Sequence, residues 1–368
     1  MILDSMTLFA ASDSGGLQMF FQYCLGGLII GMLYALIALG YTMVYGIVEL
    51  INFAHGDLFM LGTFMALTLL SLMGISVSTA GEISTSKAAL AIAVMMIVVP
   101  LFCATLNVAV DKVVYRPLRS APKLAPLVSA IGVSFCFMNI GLFWNAAVYE
   151  DGRAVPAASQ RAFPNIVSNE NILERSSPVE EAVTTAKSDK SDSAKDSKSK
   201  PTIKAKEESK FRITWKDAMV IAVTIPSMIF LTWFVKFTQT GKAMRATAQN
   251  PTAARLMGIN VDRVIATTFL IGGALGGVGS VTYALYINTT SYQVGFQNGL
   301  YAFTAAVLGG IGNIPGAVLG GIIIGLVRSL GSAYIDEKWT SAFVFAILIL
   351  ILVFRPTGLL GSRTREKV

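Results

Sequence analysis

Residues 14–48 read SGGLQMFFQYCLGGLIIGMLYALIALGYTMVYGIV and carry no charged side chain. About 20 apolar residues in helical form cross the hydrocarbon core of a bilayer, so this stretch predicts a membrane span. Working outward, further charge-free runs occur at 58–81, 88–110, 124–149, 218–235, 264–327 and 339–354, and the seven together fill more than half of the 368 residues. The chain is 54% apolar and 14% charged, against roughly 25% charged in soluble domains, which excludes a soluble globular protein. None of the runs alternates strictly in polarity, and backbone groups in lipid must be satisfied within their own segment. The expected fold is therefore an all-α polytopic membrane protein, with one crossing in each of the first five runs, up to three in 264–327 and one in 339–354.

The net charge of +7 does not point to nucleic acid, because eight of the 29 basic residues fall in Lys187–Lys210, interleaved with five acids. Such blocks are solvated linker, and no nucleic-acid partner is expected. Cys24, Cys103 and Cys136 lie inside apolar runs and read as packing residues rather than a disulfide framework. No Lys or Arg precedes Lys87, so the basic region of a signal peptide is missing and the first run is expected to remain as a span.

Basic residues in short loops mark the cytoplasmic side. Three places qualify: Lys112, Arg116, Arg119 and Lys123; Lys236, Lys242, Arg245, Arg255 and Arg263; and the tail Arg355, Arg363, Arg365 and Lys367. Counting back from the first places the N-terminus outside, where Asp4 and Asp13 suit it. From an outer loop near Ser291 to an inner tail at Arg355 the chain must cross an odd number of times. Parity is met by splitting 299–332 at Gly309-Gly310-Ile311-Gly312-Asn313-Ile314-Pro315-Gly316, whose glycines and proline free backbone groups that a cavity or a neighbouring helix must satisfy. That gives about eight to nine membrane segments, one of them broken or re-entrant at depth. The expected organisation is an external segment 1–19, helices 1–4 in 20–150, an external loop 151–214, the remaining helices in 215–355 with a cytoplasmic loop 237–262, and a cytoplasmic tail 356–368. Within the external loop, 168–212 is rich in Ser, Lys, Asp and Ala and cannot bury enough apolar surface to offset the entropy of ordering. It reads as a tolerated insertion, with a docking arm as the alternative.

Three constellations stand out. The run from Tyr45 to Asp57 squeezes Glu49, Asn52, His55 and Asp57 between two strongly apolar spans. Polar groups there are expensive, and three readings stay open: lining of a pathway, a connecting turn that meets water at the inner face, or a buried hydrogen-bond network. In Thr240–Asn260, Asn250 is a favoured N-cap, Pro251 fits the first helical position and Gly258 suits the left-handed residue past the last turn. This writes out a two-turn helix too short to stand alone, with small Ala253 and Ala254 for close approach, docking either a cytoplasmic partner or this protein's own inner surface. Small residues also repeat at four-residue spacing, at Gly272, Gly273, Gly276, Gly277 and again at Gly316, Gly320, Gly321, Gly325, which lets helix backbones touch in lipid. No Gly-x4-Gly-Lys-Ser/Thr phosphate loop, no Gly-x-Ser-x-Gly elbow and no Cys/His cluster at metal spacing is present, so ATP hydrolysis would have to come from another chain.

Gly31 to Gly46 leading into Ile51-Asn-Phe-Ala-His-Gly56 resembles the first spans of branched-chain amino acid ABC transporter permeases of the LivH type. So do Tyr115-Arg-Pro-Leu-Arg119, Ser129-Ala-Ile-Gly132, Asn250-Pro through Gly258-Ile-Asn260, Ala302 to Gly316, and Arg355-Pro-Thr-Gly-Leu-Leu-Gly361. The match covers about 20–150 and 211–362 and leaves out 168–210. The resemblance implies an ABC importer permease fold in the bacterial inner membrane that works by alternating access. The implied partners are a second, LivM-like permease, two cytoplasmic ABC ATPases and a periplasmic substrate-binding protein. It implies no cofactor on this chain, with ATP and Mg held by the ATPases. It makes Asn250, Pro251, Ala254, Arg255, Gly258 and Asn260 the ATPase-coupling segment. Asn52, His55, Asp57, Gly309, Gly310 and Gly312 become candidates for the translocation path. Leucine, isoleucine and valine are the expected cargo; urea or short amides, or a stand-alone secondary carrier or channel, are the alternatives.

Overall fold

The computed structural model describes residues 15–48, 52–77, 79, 83–119, 121–122, 124–147, 149–150, 153–154, 158–172, 212–355 and 357–361. Most of the insertion, the first fourteen residues, Glu49, Lys123, Arg363, Arg365 and Lys367 lie outside them. The described chain forms eleven α-helices and four two-residue strands. They are α1 Gly15–Val48, α2 Ala54–Leu72, α3 Thr85–Val110, α4 Leu124–Ala147, α5 Trp215–Phe237, α6 Gln239–Gln249, α7 Pro251–Leu256, α8 Val261–Ile287, α9 Val294–Gly309, α10 Ile314–Tyr334 and α11 Glu337–Phe354. The strands are β1 Tyr149–Glu150, β2 Arg153–Ala154, β3 Arg161–Ala162 and β4 Thr289–Thr290, paired antiparallel as β1–β2 and β3–β4. The first helix begins earlier than the sequence boundary at 20.

Among the described residues eight helices are long and apolar enough to cross a membrane. Their burial sorts them into two layers. The apolar windows of α1, α2 and α8 are 61%, 67% and 67% buried, whereas those of α4, α5 and α11 are only 17%, 17% and 11% buried. The outer helices thus turn Phe135, Phe143, Trp233, Ile349 and Phe354 away from the protein, an arrangement that only a lipid or protein neighbour makes stable. Cys136 also sits on this exposed face, while Cys103 is buried in the core as expected of a packing residue.

The inner layer is held by the small residues the sequence repeats. A Cβ added at Gly321 would come within 2.8 Å of Ala35 and of the Gly31 carbonyl, and one at Gly325 would overlap the Gly27 carbonyl and the Gly31 backbone. The backbones of α1 and α10 are therefore in direct contact through glycines on both sides. On the other flank, Gly273 presses on Cys103, Ala104 and Asn107, and Gly277 on Pro100, which places α8 against α3.

The two ends of the bundle are distinct. At one, Arg116 and Arg119 pair with Asp262, and Gly46 faces Gly312; this is the end that the distribution of basic residues assigns to the inner side. At the other, β3 from the long loop 151–214 pairs with β4, and Phe163 N donates to the Asn288 carbonyl at 2.8 Å. The neck of that loop is closed by the Asn171–Thr214 bridge and by Ile172 N donating to the Ile213 carbonyl at 2.8 Å.

The helix breaks where the sequence is split, α9 ending at Gly309 and α10 starting at Ile314, and a further turn precedes α9. Thr63, in the middle of α2, shares a 2.5 Å hydrogen bond with Thr290 of β4, and Gly295 at the start of α9 packs on Gly56 and Asp57. The chain after α8 therefore turns back inside the bundle, and α9, with 16 residues or about 24 Å of helix, runs from there to the inner end. The Gly309–Gly316 break is the turn between α9 and α10. The cause is local: Gly310 at φ +100° packs on Thr357 and Gly361, and Leu359 N and Leu360 N donate to the Leu308 and Gly309 carbonyls at 2.8 and 3.0 Å. The tail supplies the partners that the end of α9 would otherwise lack.

Candidate functional site

The two-turn helix forms as its residues dictate. Asn250 Oδ1 accepts from Thr252 N and Ala253 N, both at 3.0 Å, and Pro251 occupies the first position. Gly258 adopts φ +81°, its N donates to the Arg255 carbonyl and Ile259 N to the Ala254 carbonyl, each at 3.0 Å. This is a Schellman closure, which a side chain at 258 would strain. Asn260 then caps α8 by accepting from Arg263 N at 3.1 Å. The helix rests on its own protein through Ala254, which is buried, while Ala253 and Arg255 are exposed. The reading that α7 lies on this protein's own surface holds for the face that carries Ala254. Sequence reasoning missed the tip, where Leu256 is 85% and Met257 82% exposed. The available signal was an apolar pair directly before the helix-ending glycine, in a loop otherwise basic and polar.

Below this knob lies a chain of polar contacts. Asp262, two residues past Asn260, accepts from Arg119 at 2.5 Å and Arg116 at 3.1 Å, and Arg119 also bonds Asp111 at 2.6 Å. Asp111 opens a single π-helical turn, Asp111–Tyr115, that continues α3. Tyr115 is buried and donates to Asn52 Oδ1 at 2.8 Å. Asn52 Nδ2 reaches Asn107 Oδ1 at 3.3 Å, and Asn107 Nδ2 donates to the Phe269 carbonyl of α8 at 2.6 Å. The wet-turn reading fails for Asn52, His55 and Asp57, which are 4%, 1% and 1% exposed. Asn52 belongs to the buried hydrogen-bond network, the third of the sequence readings. Asn107 and Asp262 went unrecognised, and Tyr115 entered only through the Tyr115–Arg119 resemblance, because each gains its meaning from a spatial partner.

His55 and Asp57 lie beside this network. The imidazole fits between α1 and α8 because positions 40 and 276 are glycine; a Cβ at either would meet it, at 40 within contact distance of Nε2. Tyr41 stacks edge-on, with ring centroids 4.8 Å apart. Among the described residues neither ring nitrogen has a hydrogen-bond partner within bonding geometry, although the Ile37 carbonyl faces the ring. Asp57 accepts from Ser134 of α4 through Oδ2, and its buried Oδ1 has no partner among the described residues. Buried polar atoms without partners are costly and mark functional positions more often than packing ones. The inner turn does not join this cluster: Gly309 and Gly310 are buried against the tail and Gly312 lies apart beside Gly46. Among the described residues no group of three or more His, Cys, Asp or Glu stands where it could hold a metal.

An arrangement of outward-facing apolar helices, a re-entrant helix and a projecting inner knob defines a membrane transport subunit. A family model described as the permease component of branched-chain amino acid transport systems matches residues 23–352, and the chain belongs to that family. It is 36% identical over 352 residues to the high-affinity branched-chain amino acid transport permease LivH of Salmonella typhimurium, covering 95% of this chain and 98% of that one. With LivH of Escherichia coli and with BraD of Pseudomonas aeruginosa it shares 35% identity over the same coverage. No solved structure matches the chain significantly.

Proposed function

We propose that this chain is the permease subunit of an ATP-driven importer that moves leucine, isoleucine and valine from the periplasm to the cytoplasm. Its partners are a second permease, two cytoplasmic ATPases that bind ATP and Mg, and a periplasmic binding protein, assembled in the bacterial inner membrane. The observation that carries the reading is the capped knob: a rigid helix stands on one alanine and holds two bare apolar side chains out of a basic inner surface. Such a tip is what docking to a soluble protein needs.

The polar chain supplies the transmission. A push on α7 is passed through Asn260 and Asp262 to Arg119, then through Asp111 and the π turn to Tyr115 and the Asn52–Asn107 pair, which bonds α8 again at Phe269. The contacts link α1–α2, α3 and α8, so ATPase closure at the knob reaches the region of His55 and Asp57. Gly309, Gly310 and Gly312, at the inner turn beside the tail, act as an inner seal that opens when α9 and α10 shift. The test is uptake of radiolabelled leucine, isoleucine, valine and urea into proteoliposomes holding the reassembled complex. Uptake of the three amino acids that needs ATP and the binding protein is expected. ATP-independent uptake by this chain alone, or transport of urea only, would overturn the reading. Arg255→Glu and Gly258→Pro are expected to abolish uptake while the protein still reaches the membrane.

A further inference from the structure

The outer half of the bundle holds a cavity of about 330 Å³ that none of the residues selected from the sequence touches. It lies between the first half of α1, the end of α8 and the outer turn joining α10 to α11, bounded by Tyr23, Ile287, Ser332 and Glu337. Its walls divide by chemistry. Ile30, Leu33 and Ile287 form an apolar side, whereas Arg328, Ser329 and Glu337 form a polar one.

Arg328 is the unusual member. It ends the longest charge-free run in the chain, 264–327, and it stands in the outer half of a membrane helix, opposite to where basic residues collect. Its guanidinium donates to the Tyr34 hydroxyl and lies 5.8 and 5.1 Å from the centroids of the Tyr34 and Tyr301 rings. Tyr301 is fixed in turn by a 2.6 Å hydrogen bond to Ser341. Two aromatic faces therefore hold the cation in place. Among the described residues no carboxylate pairs with it at ion-pair distance, and Glu337 acts on it only from farther away. A guanidinium has five N–H donors in a planar fork suited to a carboxylate, and Tyr34 uses only part of that capacity.

We propose that this cavity receives an aliphatic α-amino acid from the outer side. The carboxylate sits on Arg328, the ammonium group faces Glu337, and the branched side chain rests on Ile30, Leu33 and Ile287. The volume is at the lower end of small-molecule sites and admits one such solute with water beside it. The proposal rests on the functional reading above and adds where this chain first holds the cargo and by which groups.

The experiment uses proteoliposomes with the complete complex and saturating, leucine-loaded binding protein, with [3H]leucine uptake and ATP hydrolysis measured together. Arg328→Gln is expected to cut uptake about tenfold or more, the worth of a charge-assisted pair, while stimulated ATP hydrolysis persists, so that ATP spent per leucine rises by the same factor. Arg328→Lys should restore part of the uptake, and Glu337→Gln should give a smaller loss. Ile30→Trp, which fills the apolar side and leaves every charge in place, should also lower uptake and raise that ratio, and it decides the matter alone if Arg328→Gln fails to reach the membrane. Wild-type uptake rates in Arg328→Gln and Ile30→Trp, or equal loss of uptake and ATP hydrolysis, would remove this site and leave the functional reading standing. Failure of the wild-type complex to take up any branched-chain amino acid would remove the functional reading itself.

Discussion

Replacing Leu256 and Met257 together by alanine tests the knob where its energy resides. Both side chains are more than four-fifths exposed, so truncation removes almost nothing from the fold, and the stability change should stay within about 0.5 kcal/mol. Docking is another matter. Each change deletes three heavy atoms, worth about 0.8 kcal/mol per methylene when fully buried; with about four-fifths of their surface still free to bury, the six give about 4 kcal/mol for the pair and about 2 kcal/mol if the partner covers half of the tip. At 1.4 kcal/mol per tenfold, the affinity of the ATPases for the permease pair should fall between about 30-fold and 1,000-fold. The assay is titration of fluorescent ATPase onto permease pairs in nanodiscs, with the thermal midpoint of the permease followed in parallel. A loss under threefold with an unchanged midpoint would show that the tip is not the docking contact.

Gly258→Val should remove the left-handed closure of α7 at a cost of about 1–2 kcal/mol, read as protease cleavage within 250–260 and loss of ATPase stimulation while the bundle's melting is unchanged. Asn107→Leu should leave the Asn52 amide unpaired, at about 1–3 kcal/mol, lowering thermal stability in detergent; an unchanged midpoint would argue against the network. Gly40→Ala should clash with the His55 ring and impair folding, and adding His55→Ala should restore part of the yield; no rescue would mean that the ring is not what position 40 accommodates. Deleting 176–208 should leave leucine uptake intact, and its collapse would make the insertion a docking element.

The spans were legible because each is a self-contained statement about lipid: Leu28 to Leu39 or Phe345 to Phe354 need no partner to be read as lying in an apolar medium. The knob was legible for the same reason, since Asn250, Pro251 and Gly258 act on backbone within a few residues of themselves. Parity forced a half-crossing between Ser291 and Arg355, but not its place. The glycines of 309–316 announced a turn, whereas the turn inside the bundle depends on Thr63 meeting Thr290, a pairing with no local signature. Asn52 was visible as an anomaly without revealing its role, because its partners Asn107 and Tyr115 lie 55 and 63 residues away. Arg328 was visible only as the end of a charge-free run, and the tyrosines that hold it come from two other helices.

The bridge between Asn171 and Thr214 bears on how this lineage can change. Since Ile172 and Ile213 are held together by a backbone hydrogen bond, the cost of lengthening a flexible connection between them rises only with the logarithm of its length. Natural variation in length between those two residues carries little penalty for the helices, and a reporter domain or affinity handle grafted there should travel as a passenger, leaving the machinery to work as before.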